Sequence, residues 1–351
     1  MSIADKLTLL INTKQDIKSA ISEKGVEVTG GMTTYADAIR RIETGGGGGE
    51  GDSIYVPIGL KFGCKVQNGP YNPPDFTLPK LILAEGYTDG SYMFEGTFGL
   101  TSINGIYTTN SSLTNCYRMF HLCVDLTTIP QFNTSNVNNM TEMFDGCTSL
   151  TTIPQLDTSN VTTMSQMFNE CTSLTTIPQL DTSKVENMMY MFWKCSSLTS
   201  VPYMITLNVS EMRYMFRGCT SLTTIPQLDT SRAQYIYGMF MECSGLKSLP
   251  LLDFSSVMGG NNELFDIPSS SNETPYPDLT DLGGFKNLKY DLNLSGMPNL
   301  TVQSLMNVIN NLKNLNGTGL SPKTLTLGTT NLNKLTDEQK AVATNKGWVL
   351  E

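Results

Sequence analysis

The sequence has little charge and almost no histidine. Only 16% of its 351 residues are charged, it contains one His, and acidic residues outnumber basic ones to give a formal net charge of −9. Nucleic-acid binding needs clustered Lys and Arg to neutralise phosphates, so this balance argues against nucleic acid as a partner. It also argues against binding to an anionic membrane surface.

Long apolar runs are missing as well. No stretch approaches the roughly 18 consecutive apolar residues of a membrane-spanning helix, so no membrane insertion is predicted. The opening residues Met-Ser-Ile-Ala-Asp-Lys lack the basic start and apolar core of a secretory signal. We therefore expect a protein that is made in a cytoplasm and is not exported through such a signal.

What the sequence has in abundance is one repeated unit. A Met-Phe pair recurs every 24 residues between residues 119 and 243, and each pair is followed by a Cys, a Leu and an apolar-Pro pair. The cysteines of the unit are Cys123, Cys147, Cys171, Cys195, Cys219 and Cys243. Self-similarity at a fixed period of about 20–50 residues indicates stacked repeats. The sequence therefore predicts a solenoid.

Within one unit the pattern of apolar residues changes its period. Val137, Met140, Met143, Phe144 and Cys147 have helical spacing and predict a helix of about ten residues. The Thr- and Ile-rich residues 150–156 predict a short strand. The predicted fold is an α/β solenoid, leucine-rich-repeat-like, with one short strand and one short helix per repeat. Helices need about 8–10 Å and strands about 4.8 Å, so the array should curve with its strands on the concave face.

Changes in composition divide the chain into five segments. Residues 1–44 predict a helical hairpin that serves as an anchor or oligomerisation module, and the Gly-rich residues 45–51 predict a flexible linker with a span of about 15 Å. Residues 52–118 predict an N-terminal cap with degenerate repeats, and residues 119–265 the regular repeats. Residues 266–351 predict an α/β C-terminal cap, whose last helix opens with capping-box spacing.

The first segment carries a short heptad stripe. Its members are Ile3, Leu7, Leu10, Ile17 and Ile21. The stripe either packs inside a small helical hairpin or contacts other chains. The second interpretation predicts a homo-oligomer, a trimer or a dimer, with the solenoid held on a tether.

Three patterns resemble reactive sites, and each has a structural explanation. The cysteines recur at a core position, which favours buried free thiols over disulfides. His121 lies between Cys116 and Cys123, but the register places both cysteines in the core and the histidine at a variable, exposed position, which argues against zinc. The row Asp157, Asp181, Asp229 and Asp253 precedes each predicted helix and is expected to cap it rather than to bind calcium. No catalytic residue, metal or cofactor is predicted.

One polar row remains as a predicted ligand face beside the strands. It consists of Thr151, Gln155, Thr175, Gln179, Thr199, Tyr203, Thr223 and Gln227. The row is either a solubilising stripe or a face that binds a glycan or an extended surface protein. Tyr190, Trp193 and Tyr214 decorate neighbouring units, and aromatic residues on an otherwise uniform surface are favoured contact points.

Two stretches carry a family likeness. The unit MFDGCTSLTTIPQLDTSNVTTM at residues 143–164 resembles the BspA-like bacterial surface repeat, a relative of the leucine-rich repeat, and the likeness extends over about residues 90–265. The segment IADKLTLLINTKQDIKSAISEKGVEV at residues 3–28 resembles the N-termini of bacteriophage tail and fibre proteins. The array departs from its pattern at Ile205 and Leu207, which replace the Asp and Ser of the cap.

Together the resemblances imply a non-enzymatic bacteriophage virion protein, a fibre or appendage. Residues 2–44 would attach it to other virion proteins, and the solenoid would meet a glycan or protein of the host surface. The implied location is the virion, assembled in the host cytoplasm. A bacterial cell-surface adhesin of the BspA-like family and a fibre-borne polysaccharide-degrading enzyme are the alternatives.

Overall fold

The computed structural model describes residues 53–56, 75–108, 113–258, 264–265 and 275–351. The predicted hairpin at 1–44 with its heptad stripe, and the linker at 45–51, lie outside the described residues.

A three-stranded parallel sheet precedes the repeats. Its strands are β1 (Ser53–Val56), β2 (Phe76–Leu83) and β3 (Leu100–Thr108), in the order β1-β2-β3. The register of β2 on β3 runs from Phe76 opposite Leu100 to Leu83 opposite Thr108, with an irregularity after Phe76. Leu81 and Leu83 are fully buried and join the core of the array. The sheet therefore covers the N-terminal end of that core.

The repeats stack as coils, and the same side chain of each coil lies over its equivalent in the next. Adjacent coils are joined by parallel bridges in the row Asp89, Asn115, Asn139, Thr163, Asn187, Glu211 and Tyr235. The phenylalanines from Phe94 to Phe240 form a buried stack with ring centroids 5.0–6.0 Å apart and ring planes 4–8° apart. The described coils thus form a solenoid, with this stack inside its core.

The predicted helix in each repeat is wrong. Residues 140–147 form consecutive turns: the N–H groups of Met143 and Cys147 donate three residues back, to the carbonyls of Met140 and Phe144, while the N–H of Phe144 donates to Met167 of the next coil. Glu142 has φ +55°, in the left-handed region that a right-handed helix cannot contain. Three-residue turns place apolar residues at the same spacing as a helix does. That coincidence explains the wrong prediction.

The predicted strand is also wrong for the described regular coils before the last one; the last coil has strands at the predicted position, Ser248–Leu249 and Leu252–Asp253. Residues 150–156 form no strand ladder; Thr151 N donates to Thr127 of the preceding coil, and Pro154 has no N–H to donate. The unequal spacing of helices and strands, on which the predicted curvature depended, is therefore absent from these coils.

The cysteine row is confirmed as buried free thiols among the described residues. Each thiol also has a specific partner: Cys171 Sγ donates to the carbonyl of Phe144 over 3.1 Å, and the other members of the row repeat this contact. Burial raises the pKa of Cys123 to about 12 and the pKa of Cys171 well above its ordinary value. These thiols bind one coil to the next and are chemically inert.

The C-terminal region returns to regular structure. Two short parallel pairs join it to the last coil: β4 (Ser248–Leu249) with β6 (Asp281–Leu282), and β5 (Leu252–Asp253) with β7 (Phe285–Lys286). The strands β8 (Leu292–Asn293), β9 (Lys323–Thr326) and β10 (Trp348–Leu350) form a parallel sheet in the order β10-β9-β8. The helices are α1 (Val302–Asn311), α2 (Gly328–Leu332) and α3 (Asp337–Thr344).

Helix α3 begins as its sequence predicts. Thr336 accepts a hydrogen bond from the backbone N–H of Gln339, whose side chain accepts one from the N–H of Thr336, which completes a capping box. Among the described residues no helix is long and apolar enough to cross a membrane.

Candidate functional site

On the predicted ligand face, here called the Thr/Gln face, the polar side chains form hydrogen bonds within the solenoid. Thr175 Oγ1 donates to the carbonyl of Thr151 over 3.3 Å, and Thr199 Oγ1 to that of Thr175 over 3.4 Å. Gln179 Nε2 donates to the carbonyl of Tyr203 over 2.7 Å. Gln155 and Gln227 make the equivalent bond to the next coil. The face is exposed, but the donors of these side chains already hold coils together.

Tyr203 is the exception on that face. It stands in the glutamine row and is 59% exposed, the largest exposure of any large apolar or aromatic side chain among the described residues. That a ligand binds along the Thr/Gln face stays a prediction.

The aspartate row caps turns instead of helices. Asp157 Oδ1 accepts from the backbone N–H and the hydroxyl of Ser159, and Asp253 accepts in the same way from Ser255. Burial raises the pKa of Asp253, but hydrogen bonds from Ser255, Lys286 and Asn287 outweigh burial and hold it at about 2. The side-chain and backbone hydrogen bonds from Ser159 lower the pKa of Asp157. The capping role was predicted correctly, and the element it caps was not.

A second edge of each coil, formed by the turns at 140–147 and their equivalents, is here called the turn face. One row on it, made of the residue that follows the repeated phenylalanine in each coil, differs from coil to coil. The row is Glu95, His121, Asp145, Asn169, Trp193, Arg217 and Met241. Its N-terminal members are charged or polar, and its C-terminal members adjoin aromatic residues. Two candidate sites therefore lie on one face.

The first site is the charged cluster, formed by Glu95, Arg118, His121, Glu142 and Asp145. His121 Nδ1 lies 3.0 Å from Glu95 Oε1, and His121 Nε2 lies 3.4 Å from Asp145 Oδ2. Arg118 Nη2 lies 2.6 Å from Glu142 Oε2. The cluster thus joins three neighbouring coils by polar contacts.

The exposure predicted for His121 is wrong. Its side chain is only 13% exposed, because Glu95 and Asp145 of the adjacent coils pack against both edges of its ring. Burial lowers the pKa of His121, but the hydrogen bonds with Asp145 and Glu95 outweigh burial and raise it overall. Stacking of the coils brings together side chains that are about 24 residues apart, such as His121 and Asp145. The sequence argument about zinc compared His121 only with Cys116 and Cys123, which are close to it in sequence.

The second site is the aromatic–basic patch, formed by Tyr190, Trp193, Lys194, Arg213, Tyr214, Arg217 and Tyr235. The rings of Tyr190 and Tyr214 stack with centroids 4.8 Å apart, and Trp193 lies 5.3 Å from Tyr190. Lys194 Nζ lies 4.5 Å from the centroid of Trp193, and Arg213 lies over Tyr235 at 5.1 Å. Tyr235 is 42% exposed. The sequence pointed to three of these aromatic residues, but not to the cations beside them.

Each cation of the patch is paired with a glutamate. Arg213 makes two bonds to Glu211, at 2.9 and 2.7 Å. Arg217 Nη2 lies 2.6 Å from Glu242, and Lys194 Nζ lies 2.8 Å from Glu170. The pairs carry no net charge between them. The patch therefore offers many donors and acceptors but no strong field of either sign.

Comparison with protein families gives one match. The model described as "Mycoplasma protein of unknown function, DUF285" matches residues 114–203 and 175–273. These two matches span the regular coils and under half of the chain. No curated protein matches the sequence.

Two solved structures illustrate how far the likeness extends. The leucine-rich repeat protein of T. pallidum is 15% identical, covers 86% of this chain and 91% of its own, and has a TM-score of 0.27. The leucine-rich cell surface protein of Faecalibacterium prausnitzii is 15% identical, covers 84% of this chain and 92% of its own, and has a TM-score of 0.32. TM-scores of this size do not establish a shared fold, so the solenoid assignment rests on the coil geometry. The family comparison therefore shows that residues 114–273 of this chain are similar to the DUF285 model.

Proposed function

We propose that this protein is a non-enzymatic recognition protein whose solenoid presents the aromatic–basic patch to a neutral glycan of a cell surface. The observation that carries the proposal is the gathering of aromatic rings and guanidinium–carboxylate pairs on adjacent coils of an otherwise nearly uniform array. Aromatic rings pack against the apolar C–H faces of sugars, and paired Arg and Glu supply donors and acceptors for hydroxyl groups. A stacked array holds these groups in place before binding, which lowers the entropic cost.

The absence of net charge in the patch favours a neutral glycan over an anionic one. The three cations of the patch are matched by Glu170, Glu211 and Glu242. An anionic polymer would meet these carboxylates as well as the cations, and an interface with like charges opposed is disfavoured. A neutral sugar avoids that repulsion.

The proposal is tested with a microarray of neutral and acidic bacterial and host surface glycans. Wild-type protein should bind neutral glycans, and Trp193→Ala combined with Tyr214→Ala should lower the affinity at least tenfold. Gln179→Ala on the Thr/Gln face is the matched control and should bind normally. Binding that survives the double substitution, or a signal confined to acidic glycans, would contradict the proposal. Binding to protein-coated spots alone would assign the patch to a protein partner.

The same incubation addresses catalysis. A polysaccharide-degrading enzyme would release reducing ends from the bound glycan, and a recognition protein should release none. We expect no release.

We place the protein at a bacterial cell surface, because the unit at residues 143–164 resembles the BspA-like surface repeat. A second location, the bacteriophage virion, is favoured by the resemblance of residues 3–28 to tail and fibre N-termini. Fractionation of producing cells separates the two. Recovery with the cell envelope supports the first location, and recovery in purified particles supports the second.

Residues 1–44 are proposed to anchor the solenoid and to join chains as a dimer or trimer. The basis is the heptad stripe from Ile3 to Ile21. Light scattering should give a multiple of the 38.5 kDa chain mass, and deletion of residues 1–44 should give a monomer. A monomeric full-length chain would refute the oligomer.

A further inference from the structure

The charged cluster holds donor atoms that are suited to a divalent metal ion. One ligand atom each from His121, Glu142 and Asp145 lie within 4.8 Å of one another. A metal bound at about 2.0–2.2 Å from nitrogen and oxygen ligands needs them about 3–3.5 Å apart. The widest of these spacings would therefore have to shorten by about 1.3–1.8 Å when an ion binds.

The residues behind these three donors are arranged as supports. Glu95 Oε1 lies 3.0 Å from His121 Nδ1, so Glu95 can hold the proton on Nδ1 while a bound ion replaces the proton on Nε2, the nitrogen that faces Asp145. Arg118 holds Oε2 of Glu142. Ligand histidines in metalloproteins commonly have such a carboxylate on the second ring nitrogen.

The cluster also contains more carboxylates than cations of fixed charge. The carboxylates of Glu95, Glu142 and Asp145 gather around the guanidinium of Arg118 and the ring of His121. Glu95 and Glu142 are each only 8% exposed, so solvent screens their charges weakly. This arrangement attracts a divalent cation.

A separate observation points to a further ligand. Asn169, which is 6% exposed, extends its amide from the next coil to Asp145, and its Nδ2 donates to Asp145 Oδ1 over 2.8 Å. Its Oδ1 is buried and has no hydrogen-bond partner among the described residues. Rotation about the Cβ–Cγ bond exchanges the two amide atoms, so this unsatisfied oxygen can turn to a cation held by Asp145.

We propose that the charged cluster is a metal site, in which His121 Nε2, Asp145, Glu142 and Asn169 Oδ1 bind one divalent transition-metal ion, best Zn²⁺. Imidazole with carboxylate and amide oxygens is a ligand set for first-row transition metals rather than for Ca²⁺. The ion links three consecutive coils at the N-terminal end of the turn face, so its effect is on their stability. It shares no residue with the aromatic–basic patch, and the proposal does not depend on glycan binding.

The test uses full-length, tag-free protein on a Cys64→Ser background, because Cys64 lies outside the described residues and thiols bind zinc. Equilibrium dialysis against Zn²⁺ should give one tight ion per chain, and Co²⁺ should give visible d–d absorption. Zn²⁺ should raise the Tm by several degrees, since a ligand that binds only the folded state stabilises it. The buried cysteines should not contribute, because burial keeps them as thiols.

Three substitutions decide the assignment. His121→Ala should remove the cobalt absorption and weaken Zn²⁺ binding at least 100-fold, and Asp145→Asn is the second variant if the first does not fold. Glu95→Gln should still bind the ion, but with an affinity about 10–100-fold lower, as is usual when a supporting carboxylate is lost. Asp181→Asn, a turn cap on another coil, is the control and should bind like the parent. Equal Zn²⁺ affinity in the parent and in Asp145→Asn, or no binding and no Tm shift in the parent, would overturn the proposal.

Discussion

The Thr/Gln face and the turn face of each coil are built from the same 24 residues and differ in where their hydrogen bonds go. On the Thr/Gln face the main chain forms few bonds between coils, and side chains such as Thr175 and Gln179 supply the rest. On the turn face alternate N–H groups of the main chain reach the next coil. Side chains on the turn face are therefore free to vary, whereas those on the Thr/Gln face are constrained. The difference explains why both candidate sites lie on the turn face.

The largest effect expected from this comparison concerns the core beneath the turn face. Phe168→Ala should lower the free energy of unfolding by about 3–5 kcal/mol, because it leaves a cavity inside a stack of rings. Ile177→Val, beneath the Thr/Gln face, should cost about 0.5–1.5 kcal/mol. Guanidinium unfolding of both variants measures the difference. A loss well below 1 kcal/mol for Phe168→Ala would contradict the core assignment.

Asp253, which caps a turn of the last coil, should make the stability of the protein sensitive to acid. The pKa of Asp253 is held at about 2, below the ordinary 3.8, so its contribution is complete above about pH 4 and is lost as the pH falls towards 2. We expect a loss of about 1–2 kcal/mol over that range, since solvent screens part of the effect at this partly exposed group. Urea unfolding at pH 5 and pH 2.5 measures it. In Asp253→Asn the corresponding part of the acid loss should disappear; an unchanged loss would argue against the assignment.

Removal of one glutamine tests the structural role of the Thr/Gln face. Gln179→Ala should cost about 0.5–1 kcal/mol, because the carbonyl of Tyr203 loses its side-chain donor but stays within reach of water. Thermal or urea unfolding measures the cost. If the glycan affinity falls while stability is unchanged, the Thr/Gln face and not the turn face is the recognition surface.

One substitution on the turn face should change stability in the opposite direction. Gln166 has φ +57°, a conformation that costs an L-residue about 1–2 kcal/mol and glycine almost nothing. After the larger entropy of unfolded glycine is subtracted, Gln166→Gly should stabilise the protein by about 0.5–1 kcal/mol. The matched variant Gly146→Ala, at φ +73°, should destabilise it by about 1 kcal/mol. Urea midpoints of the pair check both signs, and a destabilised Gln166→Gly would argue against the turn geometry.

The aromatic–basic patch can be predicted from the sequence more easily than the charged cluster. Tyr190, Trp193 and Tyr214 stand out because they interrupt a uniform repeat, and all three lie in the aromatic–basic patch. The charged cluster was missed, although a signal existed: Glu95, His121 and Asp145 each follow the repeated phenylalanine. Alignment of the repeats by that phenylalanine, followed by comparison down each column, would have placed them side by side.

The sequence by itself determined the period, the stacking of coils and the identity of the core. The apolar residues Met, Phe, Cys and Leu recur every 24 residues, and stacking the repeats buries all copies of them in one continuous core. Only the tertiary structure decided the backbone conformation of each coil, which consists of turns and not of a helix. Turns and a helix share the spacing of their apolar residues, and they differ in whether N–H groups bond within the segment or to the neighbouring coil. That choice depends on the stack, which holds left-handed residues such as Glu142 in place and brings His121 between two carboxylates.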